Sequence, residues 1–237
     1  MYEKVKKNIV IGSGGHARSL ISILLRNNKK NISIKSFSKI KKNEKIFNKK
    51  LEKLDPIKDF KENCDYYLAI GSIKQRVEYF FKLKKKNRKM PNIISKSANY
   101  NKTIKIGKGN FLGENIFIGP FTCIGSNNIL NTSCSIDHEC HIGDNCNISP
   151  GVVLAGRVKL GNNIFIGMGA CIADNIKIVN NVIIGANSFV NKSILKPGKY
   201  FGNPIRKVTW FIYQLDISKK IIFIKLLYYI KKIIFQI

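Results

Sequence analysis

The chain has 237 residues, 42 of them Lys or Arg and 14 Asp or Glu, giving a formal charge of +28. At 44% hydrophobic and 24% charged it can build a core, which excludes general disorder, and its length suits one large or two small domains. The apolar stretch after Lys7 is too short for a secretory signal or a membrane span, so the cytoplasm is the expected compartment and the six Cys are expected as reduced thiols.

The charge sits mostly at the front. Residues 1–100 carry 26 basic and 8 acidic side chains, 101–209 carry 11 and 5, and 210–237 carry 5 and 1. Only 6 of the basic residues are Arg, the side chain suited to bidentate readout of phosphates and bases. The excess of Lys accompanies an excess of Asn and Ile, which share A/T-rich codons. A specific nucleic-acid partner is therefore not expected; solubility and loose attraction to anions account for the charge.

Residues 1–100 read as a small α/β unit. Lys7 to Ile11 is a buried strand, Gly12-Ser13-Gly14-Gly15-His16 a tight turn, and Ala17 to Asn27 a helix with Leu20, Ile21, Leu24 and Leu25 on one side. Ile32 to Phe37 is a second strand, Asp65 to Gly71 a third, and Ile73 to Lys89 a basic helix. Gly12-x-Gly14-x-x-Ala17 between strand and helix matches a phosphate-binding turn, in which glycines let backbone N–H groups approach an anion at the helix N-terminus. Turns of this kind also serve packing. Ser36-Phe37-Ser38 offers no acid to hold a ribose, and the unit is short for a two-lobed dinucleotide fold. A substrate bearing one nucleotide fits better than a redox dinucleotide.

From Ile106 every sixth residue is aliphatic, through Leu112, Ile118, Ile124, Leu130, Ile136 and onward to Val190, fifteen positions without a break. Chance would give this on the order of one time in a billion if about a quarter of positions were aliphatic. Gly107, Gly113, Gly119 and Gly125 show the usual small follower, and Thr122, Cys134, Cys140 and Cys146 the small residue two places ahead. A period of six suits neither helix nor long strand; it suits short strands that turn at regular corners. The aliphatic fills the interior and the glycine or Asn takes the bend. Three strands close one coil, and coils stack at the ~4.8 Å strand spacing into a parallel β-helix from about 104 to 194.

One dense polar cluster interrupts the repeats: Asp137-His138-Glu139-Cys140-His141. The hexad frame puts Ile136 inside and Asp137 and His138 on the bend. A histidine beside a carboxylate is the usual device for taking a proton from an amine or hydroxyl, since the carboxylate stabilises the imidazolium that forms. A solvated polar corner is the plain alternative. Cys134, His138, Cys140, His141 and Cys146 could in principle hold zinc, but the three Cys recur every six residues in the small inward slot, so buried packing is favoured and no metal is expected. From Trp210 the tail is apolar and Lys-studded, too interrupted to span a bilayer; it reads as a helix packed on the body or lying at an anionic surface.

Taken together, Val10-Ile11-Gly12-Ser13-Gly14-Gly15-His16-Ala17, the hexads, the segment Ile136 to Asp144 and Gly202-Asn203-Pro204 resemble the hexapeptide-repeat sugar acetyltransferases, typified by sialic-acid O-acetyltransferases and UDP-amino-sugar N-acetyltransferases. The likeness spans roughly 5–208. It implies a Rossmann-like sugar-nucleotide-binding subdomain over 1–100, a left-handed parallel β-helix over 101–208, and a separate tail at 209–237. It further implies a homotrimer with active sites between subunits and acetyl-CoA as donor, without metal or covalent enzyme intermediate. By the resemblance, His138 is the general base and Glu139 its tuner; Asp137, beside them in the cluster, is a candidate second partner. Ser13, Gly14, Gly15, His16 and Gly71 hold the sugar nucleotide; Asn147, Met168 and Ala186 lie along the CoA arm. This chain departs from the pattern in having Asn147 where a His is frequent, Ser36 to Ser38 where acids are usual, and Ile205 where Ala is usual.

The reading is thus a cytoplasmic acetyl-CoA-dependent acyltransferase acting on an amino sugar or sialic acid for surface glycan synthesis, with the tail open to peripheral membrane contact. Its rival is a non-catalytic basic solenoid that binds anionic polymers or a membrane surface.

Overall fold

The computed structural model describes residues 6–208. The tail beginning at 209, and with it the expected helix there, lies outside the described residues. No helix among the described residues is long and apolar enough to cross a membrane.

The front of the chain is a five-stranded sheet with a helix on each face. Its strands are β1 (Lys7–Ile11), β2 (Ile32–Ser36), β3 (Lys45–Ile46), β4 (Lys49–Lys53) and β5 (Cys64–Leu68), in the order β3-β4-β2-β1-β5. All pairs are parallel except the β3–β4 hairpin. Helix α1 (Gly15–Arg26) joins a core with Val10, Ile34 and Tyr67, whereas α2 (Ile73–Lys85) packs on the other face with Ile9, Ile11, Tyr66 and Leu68. Because the chain runs from β1 to β2 on one side and returns to β5 on the other, the crevice between the C-terminal ends of β1 and β5 is a topological switch point. Ligands of open α/β sheets bind there.

The hairpin was not expected from the sequence. Lys49–Lys53 reads KKLEK, too polar for a strand signal, and only Leu51 of the five is buried. Its register is held by chemistry instead: Glu52 Oε2 accepts from the buried Lys35 Nζ of β2 at 2.6 Å, and Asp59 Oδ1 lies 2.7 Å from the same nitrogen. The turn residues Phe47 and Asn48 both have positive φ, 47° and 60°, the pattern of a tight two-residue hairpin.

The remainder is a parallel β-helix whose three faces are three sheets. The first face contains Ile93–Ile94, Phe111–Leu112, Ile129–Leu130, Asn147–Ile148, Phe165–Ile166 and Val182–Ile184. The second contains Asn99–Tyr100, Phe117–Ile118, Ser135–Ile136, Val153–Leu154, Cys171–Ile172 and Phe189–Val190; the third, Lys105–Ile106, Cys123–Ile124, His141–Ile142, Lys159–Leu160 and Lys177–Ile178. Partners are 18 residues apart, so three hexads make one coil. Pairing already begins at Ile93–Ile94, which sits beneath Phe111–Leu112, so the solenoid starts ahead of the first hexad aliphatic at Ile106 and before residue 100. Of the fifteen hexad aliphatics, all but the half-buried Ile106 are buried. The small slots of Thr122, Cys134, Cys140, Cys146, Val152, Val158, Ala170, Val182 and Ser188 are at most 1% exposed.

The bends divide between two positions the labour that the hexad pattern assigns to one glycine or Asn. Left-handed backbone falls three residues after the aliphatic, at Asn115, Asn127, Asn145, Asn163, Asn175, Asn181 and Asn187, and at Gly109, Gly151 and Gly169. The glycines that directly follow the aliphatic have no positive φ; they are small because the next coil is close. A Cβ on Gly119 would lie 2.6 Å from His138 N, and one on Gly143 2.6 Å from Gly161 O. Asn also ties coil to coil: Asn127 Nδ2 donates to Asn145 Oδ1 at 2.8 Å, Asn145 Nδ2 to Asn163 Oδ1 at 3.1 Å, and Asn163 Nδ2 to Asn181 Oδ1 at 3.1 Å. The richness in Asn therefore has a structural use.

The α/β unit docks on the first face through α1, where Ala17, Leu20 and Leu24 share a core with Ile93, Phe111 and Ile129. Arg76 of α2 completes the joint. Its guanidinium is buried, and burial lowers its pKa to about 10. It donates to Ile70 O, Gly71 O, Asn127 O and Asn145 O at 3.1–3.4 Å, binding the loop after β5 to the solenoid.

Candidate functional site

His138 stands on the vertex between the second and third faces. Its Nδ1 lies 3.0 Å from Glu139 Oε2, and this pairing assigns the proton to Nδ1 and leaves the Nε2 lone pair open. Asp137 does a different job: its Oδ1 accepts from the His138 backbone N–H at 2.7 Å, holding the main chain of the bend rather than the ring. Glu139 N–H donates to Pro120 O and Arg157 N–H to His138 O, both at 2.9 Å, so the coils above and below fix the backbone on either side of the ring.

This vertex breaks the bend rule. On the other two vertices every left-handed position is Asn or Gly except Ser133; here the four successive positions are Phe121, Glu139, Arg157 and Asn175. A Glu at φ 56° costs roughly 1 kcal/mol that an Asn or Gly would avoid. Local rules broken at one corner single it out as a candidate site. Phe121 is 64% exposed, a large apolar side chain beside the His138 coil.

One coil beyond His138 is Gly156, and one coil beyond that is Asp174. Gly156 is buried, with a φ outside the left-handed region, so neither backbone freedom nor exposure explains it. The histidine does: a Cβ there would lie 2.7 Å from both Cε1 and Nε2 of His138 and 3.0 Å from Asp174 Oδ1. Ring edge and carboxylate oxygen thus face the same small space. The other Asp174 oxygen, Oδ2, is held by Arg157 Nη2 at 2.6 Å. Gly156, Arg157 and Asp174 were missed in the sequence, although a stride of 18 residues from His138 leads to two of them.

The second group of expected residues gathers at the switch point of the sheet. Gly12, at φ 120°, is structural, since a Cβ would run into Ala69 O. Gly14, Gly15 and Gly71 differ: none has positive φ, and a Cβ on any of them would meet nothing within 4 Å. Among the described residues, neither strain nor packing requires glycine there, and all three border open space at the switch point. Ser13 Oγ pairs with Ser36 Oγ at 2.9 Å, at the end of β2, which carries no acid. His16 turns its ring inward, 4.6 Å edge-on to Phe111, with Nε2 buried and without a hydrogen-bond partner among the described residues. Burial, and after it the charge of Arg76, lowers its pKa to about 4, so the ring is neutral.

Asn147, expected along the CoA arm, joins this group as well: its buried side chain donates to Gly71 O at 2.8 Å. Met168 and Ala186 lie on successive coils of the vertex between first and second faces; Met168 is 61% exposed and Ala186 exposed, forming an open, uncharged ledge. Cys134, Cys140 and Cys146 face the interior, and burial pushes their thiols up to about 12, 11 and 12. They cannot meet His138 or the exposed His141 outside, and among the described residues no group of three or more His, Cys, Asp or Glu is placed to hold a metal.

Residues 7–83, about a third of the chain, match the family described as the PglD N-terminal domain. No curated protein matches the chain by sequence. Among solved structures, a histidine-to-asparagine mutant of perosamine N-acetyltransferase from Caulobacter crescentus, in complex with CoA and GDP-perosamine, superposes with a TM-score of 0.80 at 24% identity, over 86% of this chain and 98% of that one. The acetyltransferase domain of PglB from Neisseria gonorrhoeae, in complex with acetyl coenzyme A, gives 0.77 at 23% identity, over 86% and 99%. WeeI from Acinetobacter baumannii gives 0.59 at 19% identity, over 85% and 99%. At these identities the likeness establishes the fold, that of a Rossmann-like unit joined to a hexapeptide β-helix.

Proposed function

We propose that this protein transfers an acetyl group from acetyl-CoA to a nucleotide-linked amino sugar, with His138 as general base. The observation that carries the reading is the histidine pair: Nδ1 engaged by Glu139 at 3.0 Å, and Nε2, without a hydrogen bond among the described residues, at the ring edge that lies against Gly156. In the reaction His138 takes a proton from the acceptor as its nucleophilic atom attacks the thioester carbon. The new bond to carbon forms, the C–S bond breaks, and the proton passes to sulfur to leave the CoA thiol. Glu139 steadies the imidazolium between the two transfers. Acetyl-CoA supplies the activated acyl group; the uncharged ledge of Met168 and Ala186 suits its pantetheine arm. CoA and GDP-perosamine accompany the perosamine N-acetyltransferase fold, and acetyl coenzyme A the PglB domain. Both substrate classes are intracellular metabolites, in keeping with a cytoplasmic enzyme of glycan synthesis.

The same geometry argues for an assembly. The cradle of Gly14, Gly15 and Gly71 is tied to the first face, whereas His138 occupies the vertex opposite that face, so one chain does not bring acceptor cradle and base together. The second face, which borders the His138 vertex, presents Phe117, Ser135, Val153, Cys171 and Phe189 and no charge, in a chain of +28. Phe117, Val153 and Phe189 are 38–42% exposed. A second copy covering this face would bury the apolar stripe and complete the site, as a homotrimer with sites between subunits does.

The test is thiol release from acetyl-CoA by the purified chain, wild type beside His138→Ala, across GDP- and UDP-linked amino sugars and free sialic acid. We expect turnover with one acceptor class and a loss of roughly 10²- to 10⁴-fold in the variant. Release equal in wild type and variant, or none with any acceptor, overturns the reading in favour of a binding solenoid.

A further inference from the structure

Asp174 takes no part in the acyl transfer proposed above, yet its Oδ1 and His138 Nε2 both lie against Gly156. Its Oδ2 is committed to Arg157 at 2.6 Å, which fixes the carboxylate plane, and its Oδ1 points into the space that also receives His138 Nε2. The setting supplies hydrogen-bond acceptors: Arg157 engages only the Oδ2 oxygen of Asp174, and Glu139 engages the far nitrogen of the His138 ring.

We propose that Asp174 makes the acceptor an amine: Oδ1 accepts a hydrogen bond from the nitrogen that His138 deprotonates. The inference rests on the acyl-transfer reading and deepens it. A neutral primary amine has two N–H bonds and one lone pair. One N–H goes to His138 Nε2, the other to Asp174 Oδ1, and the lone pair is left aimed at the thioester carbon. His138 removes its proton as the C–N bond forms and the C–S bond breaks, and delivers it to sulfur; the second N–H stays on the amide product. A hydroxyl has a single hydrogen. Given to His138, it leaves only lone pairs facing Oδ1, an acceptor against an acceptor, and given to Asp174 it leaves the base idle. The pair therefore selects nitrogen over oxygen, with Arg157 positioning Asp174 and Gly156 leaving room for both groups.

The experiment uses the full chain, acetyl-CoA and pairs of GDP- and UDP-linked sugars that differ only in an amino or a hydroxyl group at the reacting carbon. In wild type we expect the amine member of one pair to be favoured strongly. Asp174→Ala should lose about 10- to 100-fold in kcat/KM for the amine, keep its KM for acetyl-CoA and its melting temperature, and narrow the amine-to-hydroxyl ratio. Asp174→Asn, which retains an acceptor oxygen, should recover part of the rate. Undiminished amine turnover in Asp174→Ala overturns the proposal and leaves acyl transfer standing, as does a wild type that prefers the hydroxyl member. Equal losses for both members, with a lowered melting temperature, would make Asp174 merely structural. Silence of the wild type on every pair removes the acyl-transfer reading itself, and this inference with it.

Discussion

At the scale of residues, His138 is set by what lies across from it as much as by its neighbours in sequence. Glu139 fixes which nitrogen is free, but the ring can lie where it does only because Gly156 has no side chain. Gly156→Ala is accordingly expected to leave the fold intact, since its backbone suits alanine, and to push the imidazole aside. A displacement of about 1 Å at a reacting group can cost on the order of 10²-fold. We expect a fall of that size in kcat with an unchanged melting temperature, read by steady-state kinetics beside thermal denaturation. The cluster around His138 was legible in the chain because its members are consecutive. Gly156, Arg157 and Asp174 were not, because a stride of 18 names which residues stack but not which side chains turn toward the ring or which must be small to admit it.

At the scale of elements, the joint between the α/β unit and the solenoid turns on one buried cation. A helix as lysine-rich as α2 reads as solvated, yet Arg76 on it is 1% exposed and donates to carbonyls of both units. Replacing it by Leu leaves those carbonyls without a donor and frees the Gly71 loop. We expect Arg76→Leu to lower unfolding stability by roughly 3 kcal/mol in denaturant titrations. The acceptor KM should rise too, because Arg76, together with Asn147 of the solenoid, holds the Gly71 loop. Strands β1, β2 and β5 and both helices were readable from apolar pattern to within a few residues at their ends. The β3–β4 hairpin escaped because its register depends on ion pairs of Lys35 rather than on burial of its own side chains.

At the scale of the whole molecule, charge and apolar surface are partitioned by face. Lys105, Lys159 and Lys177 project with His141 from the third face, while the second shows none. If the second face meets other copies, Val153→Lys at its centre places like charges against one another at the interface. We expect that variant to sediment as a monomer with an intact far-ultraviolet spectrum and to lose acetyl transfer. A wild type that is itself monomeric at micromolar concentration while fully active would show instead that one chain suffices.

The period of six determined the solenoid, its interior and its cysteine-filled slots by itself, since a coil's inward positions repeat in the chain as they repeat in space. The histidine and its carboxylate were equally local, one residue apart. Three things were decided only in the folded molecule: which bends are left-handed and which are merely crowded, which glycines border open space among the described residues, and which residues meet the histidine from neighbouring coils. Each depends on distances between segments far apart in sequence. Composition and periodicity carry no record of such distances until the coils stack and the α/β unit docks against them.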